Sequence, residues 1–164
     1  MVETGKILGF LREQFGDAIL ETETQYDFEV VTIHSDSIIP VIDALKKHPE
    51  YSFEYLTTLC GIHYPDRSQI GVMYQLHSLS NNIRIRLKTY LSEEYPSVRS
   101  LTLVFKSANW MEREAYDFYG IHFEGHPDLR RILNVETMIA FPMRKEFPLE
   151  DQIRTDKEDK MFGR

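Results

Sequence analysis

The chain is poorest in the residues that usually carry chemistry. Cys60 is its only cysteine among 164 residues, so it can form no internal disulfide and offers no thiolate set for zinc or an iron–sulfur cluster. No apolar run approaches the roughly 18 residues that a membrane-spanning helix needs. The opening MVETGKILGF has no basic stretch followed by a long apolar one, so no signal peptide is expected. Any membrane association should therefore come through a partner. A glycine-rich phosphate loop, a Gly-x-Ser-x-Gly elbow and a cysteine–histidine spacing suited to a nucleophile are all missing. Positive charge is also short. The 19 Lys and Arg stand against 26 Asp and Glu, for a net charge of −7, which argues against a nucleic-acid surface. What is present is 42% hydrophobic and 12% aromatic, enough for one core in a cytosolic protein.

Periodicity points to a mixed chain. Ile7, Leu8, Leu11 and Phe15 share a helical face that Gly16 would end. YDFEVVTIH alternates as a strand, with Phe28, Val30 and Thr32 on one side. Ser35 or Asp36 could cap a helix through IIPVIDALKKH that closes before Pro49. FEYLTTLCGIHY reads as another strand. QIGVMYQLHSL and IRIRLKTYL flank Ser80, Asn81 and Asn82 as an antiparallel hairpin, whose second arm sets Ile83, Ile85 and Leu87 against a wet face of Arg84, Arg86 and Lys88. VRSLTLVF is ambiguous between strand and helical turn. The expected fold class is α+β: a mixed, largely antiparallel sheet with helices packed on one face, then a helix–turn–helix segment and an extended tail. The expected division is an α/β domain over residues 1–106, the helix–turn–helix and proline-flanked segment over 107–149, and a charged tail over 150–164 that is disordered or ordered by a partner.

The stretch WMEREAYDFYGIHFEGHPDLRRIL, residues 110–133, is the densest in charge and turn residues. Ser107 can cap a helix that Gly120 terminates. Met111, Ala115 and Phe118 then form an apolar stripe with Trp110 and Tyr119 at its edges, and Arg113 and Asp117 are i,i+4 partners on the far side. Glu114 falls inside the stripe, where an ionised carboxylate is costly without a cation. Arg130, Arg131, Arg144 and Lys145 are the candidates nearby, and a bidentate arginine from 130, 131 or 144 is the expected partner. Glu112 and Arg113 read equally well as a solvated helix face. His122 and His126 are four apart, but Gly120, Gly125 and Pro127 break the helix that would present both to zinc. His126 is better read as pinning a turn before Pro127 opens a short helix, PDLRRIL. Glu112 and Glu114, two apart on a helix, point in different directions and make a poor acid/base pair.

These residues resemble a family signature. EREAYDFYGIHFEGHPDLRRIL followed by FPMRKEFPL is similar to the signature of the C-type subunit of proton-pumping NADH:quinone oxidoreductase, respiratory complex I, filled here by Glu112, Arg113, Glu114, Asp117, Phe118, Tyr119, His126, Arg130, Ile132 and Leu133. One departure is Ala140-Phe141-Pro142-Met143-Arg144-Lys145, where the family often has Gly-His-Pro-Leu-Arg-Lys. The tail is also short, and no fusion to the D-type subunit is expected. The resemblance implies a peripheral-arm subunit with no flavin, iron–sulfur cluster or metal of its own, those redox groups residing in partner subunits. It would lie on the cytoplasmic side of the inner (plasma) membrane, packed against the quinone-site subunits, with Glu112, Arg113, Glu114, Asp117, His126, Arg130, Arg131, Arg144 and Lys145 forming a docking element rather than a catalytic one. The alternatives are the homologous subunit of a membrane-bound hydrogenase or of an F420- or ferredoxin-linked complex and, from another class, a free-standing metal-dependent enzyme using His122, Glu124 and His126.

Overall fold

Alternation along three consecutive segments builds the sheet. A computed structural model describes residues 4–26 and 28–147 of the chain. Strands β3 (Tyr55–Tyr64), β4 (Gln69–Ser78) and β5 (Ile83–Ser92) pair antiparallel in sequence order. In β5 the isoleucine and leucine positions 85, 87 and 91 are buried while Arg84 and Ser92 are exposed. The hairpin β1 (Ile19–Gln25) and β2 (Phe28–Ile33) joins this set through β2, which runs parallel to β5, giving the order β1-β2-β5-β4-β3. A parallel pair needs a crossover connection. Here α2 (Ile38–Lys47), β3 and β4 provide it.

Helix α1 (Thr4–Phe15), α2 and α3 (Ala108–Tyr119) cover one face of the sheet. Ile7 and Leu11 of α1, Val41, Ile42 and Leu45 of α2, and Ala108 and Ala115 of α3 join Val31, Ile33, Leu59, Val72, Leu76, Ile85 and Leu87 in a single cluster. The opposite face carries Cys60, Met73, Gln75, Arg86 and Lys88, partners in the register. Arg86 donates to Gln75 and Gln25 there and lies 4.6 Å over the Phe28 ring. After β5 the chain adds a short parallel pair, β6 (Ser97–Arg99) and β7 (His122–Glu124), on either side of α3 in sequence.

This is the α+β architecture expected, with a largely antiparallel sheet and helices on one face. Three local features differ. Strand β1 is not evident from sequence, because ILETETQ is an edge strand whose exposed glutamates hide its period. A 3-10 turn over Ser35–Ser37 introduces α2, and neither Ser37 there nor Ser107 at α3 makes a side-chain cap bond. The second helix expected over residues 127–133 is replaced by a turn and irregular chain. The amides of Ile132 and Leu133 donate to the Asp117 carboxylate instead of to carbonyls one turn back. The expected tail over 150–164 lies outside the described residues.

Gly61 sets how closely α3 approaches β3. A Cβ at this position would lie 2.6 Å from the Tyr119 ring and 2.9 Å from Ile121. Gly61→Ala should therefore cost about 1–3 kcal/mol through overpacking. Gly9, exposed in mid-helix with nothing within 4 Å of its would-be Cβ, should stabilise by roughly 0.5–1 kcal/mol on mutation to Ala. Urea denaturation of the two variants checks the contrast; equal effects would remove the close-packing account of Gly61.

Candidate functional site

Helix α3 is buried on two sides, and this decides what each of its charges does. One side, through Ala108, Glu112 and Ala115, faces the sheet and the loop after β6; Asp117, on the opposite side, lies beneath residues 129–147. The sheet-facing side is turned by roughly 60° from the stripe Met111–Ala115–Phe118 read off the sequence. That rotation moves Glu112 into the core at 0% exposure and leaves Glu114 exposed. The expected burial and arginine pairing of Glu114 is thus corrected: the buried carboxylates are Glu112 and Asp117, and Glu114 has no hydrogen bond or ion pair among the described residues. Trp110, placed at the edge of the stripe, is 60% exposed.

Among the described residues, Asp117 is the most heavily bonded buried side chain. Its Oδ2 accepts the backbone N–H of Ile132 at 3.1 Å, Leu133 at 2.8 Å and Asn134 at 2.9 Å. Its Oδ1 accepts Asn134 Nδ2 at 3.0 Å and Arg131 Nη1 at 2.7 Å. Burial by itself would raise the pKa, but the amides of Asn134 and Leu133, the Asn134 side chain and the Arg131 guanidinium together hold the carboxyl well below the usual range. Arg131, not Arg113, is therefore the partner of Asp117. Arg113 instead donates to the carbonyls of Arg130 and Arg131, at 3.2 and 3.1 Å. Arg130 makes only an exposed pair with Asp128, of a kind that adds little.

Glu112 has fewer donors. Leu101 N–H reaches Oε1 at 2.6 Å and the Ser100 hydroxyl reaches Oε2 at 2.7 Å. Burial outweighs both bonds and pushes the carboxyl up to about 7. The pKa of the buried Tyr74 hydroxyl, which has no hydrogen-bond partner among the described residues, is raised by its own burial and further by the Glu112 charge. His126 lies 4.0 Å from Glu112, its side chain wholly buried. Its Nε2 donates to the Asn109 carbonyl at 3.2 Å and its Nδ1 accepts the Asp128 amide at 3.0 Å, so it pins the turn to α3 as expected.

The carbonyls at the end of α3 are satisfied one by one. Gly120, left-handed at φ 74°, donates its N–H to Tyr116 O. Arg131 donates to Asp117 O, the Met143 amide to Phe118 O, and Arg144 Nε to Tyr119 O. Phe141 lies against Gly120 and beneath both guanidiniums, 5.2 Å from Arg131 and 5.1 Å from Arg144. The Lys145 side chain is exposed, but its amide donates to His63 Nδ1 at 2.9 Å.

His63 is a residue that sequence reasoning misses, since nothing marks it out from the other scattered histidines. Its Nε2 faces Glu93 Oε1 at 3.0 Å, and Glu146 Oε2 lies 3.3 Å from Nδ1. Together these three could approach a metal, but both ring nitrogens already have hydrogen-bond partners, so the cluster as built anchors Lys145 and Glu146 to β3. The alternative ligand set His122, Glu124 and His126 is not brought together: His122 and Glu124 are exposed on β7, where Glu124 accepts the Ser97 hydroxyl, and both nitrogens of His126 are bonded elsewhere.

The chain belongs to the family of the 30 Kd subunit of the respiratory-chain NADH dehydrogenase, whose family model matches residues 31–153. Over 140 residues it is 44% identical to the C 2 subunit of NADH-quinone oxidoreductase from Rhizobium etli, covering 85% of this chain and 74% of that one. Over 158 residues it is 40% identical to the C-type subunit of the same enzyme from Brucella abortus, covering 96% and 78%. Among solved structures it is similar to a trypsin-resistant fragment (1-134) of Nqo5, with a TM-score of 0.64 and 27% identity over 76% of this chain and 99% of the fragment. It also shares its fold, at a TM-score of 0.75 and 19% identity over 90% of this chain and 87% of that one, with a chain of an archaeal membrane-bound sulfane sulfur reductase. The resemblance carried by residues 112–133 is confirmed. No helix among the described residues is long and apolar enough to cross a membrane.

The two buried carboxylates give opposite pH dependences. Folding raises Glu112 from 4.5 to about 7, so the folded chain binds a proton that the unfolded chain releases, and stability falls as pH rises through that window. Asp117 is depressed, so its contribution is present above the ordinary aspartate value and lost as pH falls below it. Wild type should lose about 2.5 kcal/mol between pH 5 and 8 through Glu112, whereas Glu112→Gln should lose little over the same range. Denaturant unfolding at the two pH values tests this, and a wild-type stability flat from pH 5 to 8 would contradict the burial account.

Proposed function

We propose that this chain is a peripheral-arm subunit of NADH:quinone oxidoreductase that holds no flavin, cluster or metal and performs no chemical step itself. It acts by holding the quinone-site subunits in place while electrons pass from NADH to quinone in an enzyme coupled to proton translocation. It binds on the cytoplasmic side of the membrane through those neighbours. The observation that carries this reading is the sorting of side chains along residues 129–147. Arg131, Asn134 and Arg144 turn inward onto α3, while Leu133 at 65%, Val135 at 68% and Ile139 at 95% exposure are left outside. Large apolar side chains exposed together on a segment tightly pinned from beneath mark an interaction surface. Of the nine residues expected to form a docking element, Arg113, Asp117, Arg131 and Arg144 then serve to fix the shape of that surface from beneath. The hydrogenase-type and F420- or ferredoxin-linked alternatives have only loose support, from a fold shared with a chain of an archaeal membrane-bound sulfane sulfur reductase at 19% identity.

Asp117→Asn tests the proposal. Removing one member of a buried pair strands the other and costs about 3–5 kcal/mol. With a tag on this chain, the variant should bring down several-fold less of the NADH-quinone oxidoreductase subunits, while quinone reduction per recovered complex stays at the wild-type rate. Normal recovery with slowed turnover would place Asp117 near the chemistry and overturn the structural reading.

A further inference from the structure

We propose that the free edge of β3, together with the cavity beneath α3, is the docking site for an extended segment of a neighbouring subunit that carries a large apolar side chain beside a lysine or arginine. The inference rests on reading this chain as a subunit of a larger complex. Strand β3 is the last strand of the five-stranded sheet, so one side of its backbone is unpaired by the sheet among the described residues. A cavity of about 150 Å³ is lined by Leu59, Cys60 and Gly61 of β3 and roofed by Ala115, Phe118, Tyr119 and Met143, the Tyr119 ring standing over Gly61. Side chains alternate between faces along a strand. A cavity that touches three consecutive residues therefore opens on the strand's edge and not on either face. An apolar cavity of this size accepts one ring or branched aliphatic group.

Charge identifies the occupant. Glu114 also lines the cavity, exposed and without a partner among the described residues. The other acids of α3 are satisfied, and the nearby arginines are committed: Arg113 to carbonyls, Arg131 to Asp117 and Arg144 to Tyr119. A second copy of this chain would bring another Glu114 and another net charge of −7 to the same edge, which like-charge repulsion disfavours. A basic strand of another subunit reverses that sign. Its backbone would extend the sheet, its apolar side chain would fill the cavity, and the adjacent cation would meet Glu114. Strand addition of this kind takes affinity from main-chain hydrogen bonds and specificity from alternate side chains.

Cys60 lines the cavity and is the chain's only cysteine, so its thiol reports on occupancy. In the complex purified through a tag on the full chain, Cys60 should react with a maleimide at least about tenfold more slowly than in the isolated chain. Glu114→Lys should abolish that protection or lower recovery of the complex several-fold, with an unchanged denaturation midpoint for the isolated variant because the site is exposed. Equal labelling rates in the complex and the free chain overturn the proposal, as do full protection and full recovery in Glu114→Lys. Protection that appears in the isolated chain at high concentration, together with a dimer mass, assigns the edge to a second copy and overturns it as well. Recovery of no NADH-quinone oxidoreductase subunits with the wild-type chain is a distinct result: it removes the subunit reading, and the docking proposal with it.

Discussion

The path of residues 131–134 after α3 is shaped around one buried carboxylate. Asp117 stands in the last turn of its helix, where the macrodipole disfavours a negative charge, and it has no access to water. It can remain ionised only because five donors converge on it, three of them amides of consecutive residues. Those amides can be spared because residues 132–134 form no helix or strand. Arg131 couples the arrangement further, since the same guanidinium also donates to Asp117 O and to Ala140 O at 2.9 Å. Loss of either member would therefore release the following segment as well as an ion pair.

The end of α3 imposes a second constraint that is met by the same residues. A helix that ends under other chain must find partners for its last carbonyls without water. Here Arg131, the Met143 amide and Arg144 complete the set that Gly120 begins. Gly120 could not be replaced cheaply, since its positive φ is combined with a Phe141 ring 2.5 Å from any added Cβ. Drawing the polar backbone and the arginines inward leaves the segment's aliphatic side chains outward on a fixed frame. A surface ordered beforehand loses less entropy when it binds, which is the physical link between this internal network and assembly.

How far these features could be read from sequence depends on whether one element or several decide them. The α1 stripe, the β4–β5 hairpin, the Gly120 stop and the turn-pinning role of His126 follow from local spacing, and the structure agrees with them. The choice between Glu112 and Glu114 does not, because the phase of a helix packed on two sides is set by its neighbours. Residues 127–133 have a sound helical start at Pro127, yet Asp117 claims their amides. Strand β1 is visible only once β2 offers it an edge to pair with. His63 gains meaning only from Glu93 and Lys145, far away in the chain.

The spacing of the three signature acids now has a physical reading. Glu112 and Asp117, five residues apart, fall on opposite sides of the helix, and Glu114 projects in a third direction. Glu112 ties α3 to the loop after β6 through two donors, too few to offset its burial, so its carboxyl is pushed up to about 7. Asp117 ties α3 to residues 131–134 through five, enough to keep its charge. Glu112 also lies deeper in the fold than Asp117, so stronger desolvation and fewer donors together separate a group that tends to hold a proton from one that does not. Exchanging their environments would leave a charge with two partners on one side and five donors around a protonated acid on the other. Three similar side chains within six residues are thereby not equivalent: two lock the helix from opposite sides, and the third is left facing outward.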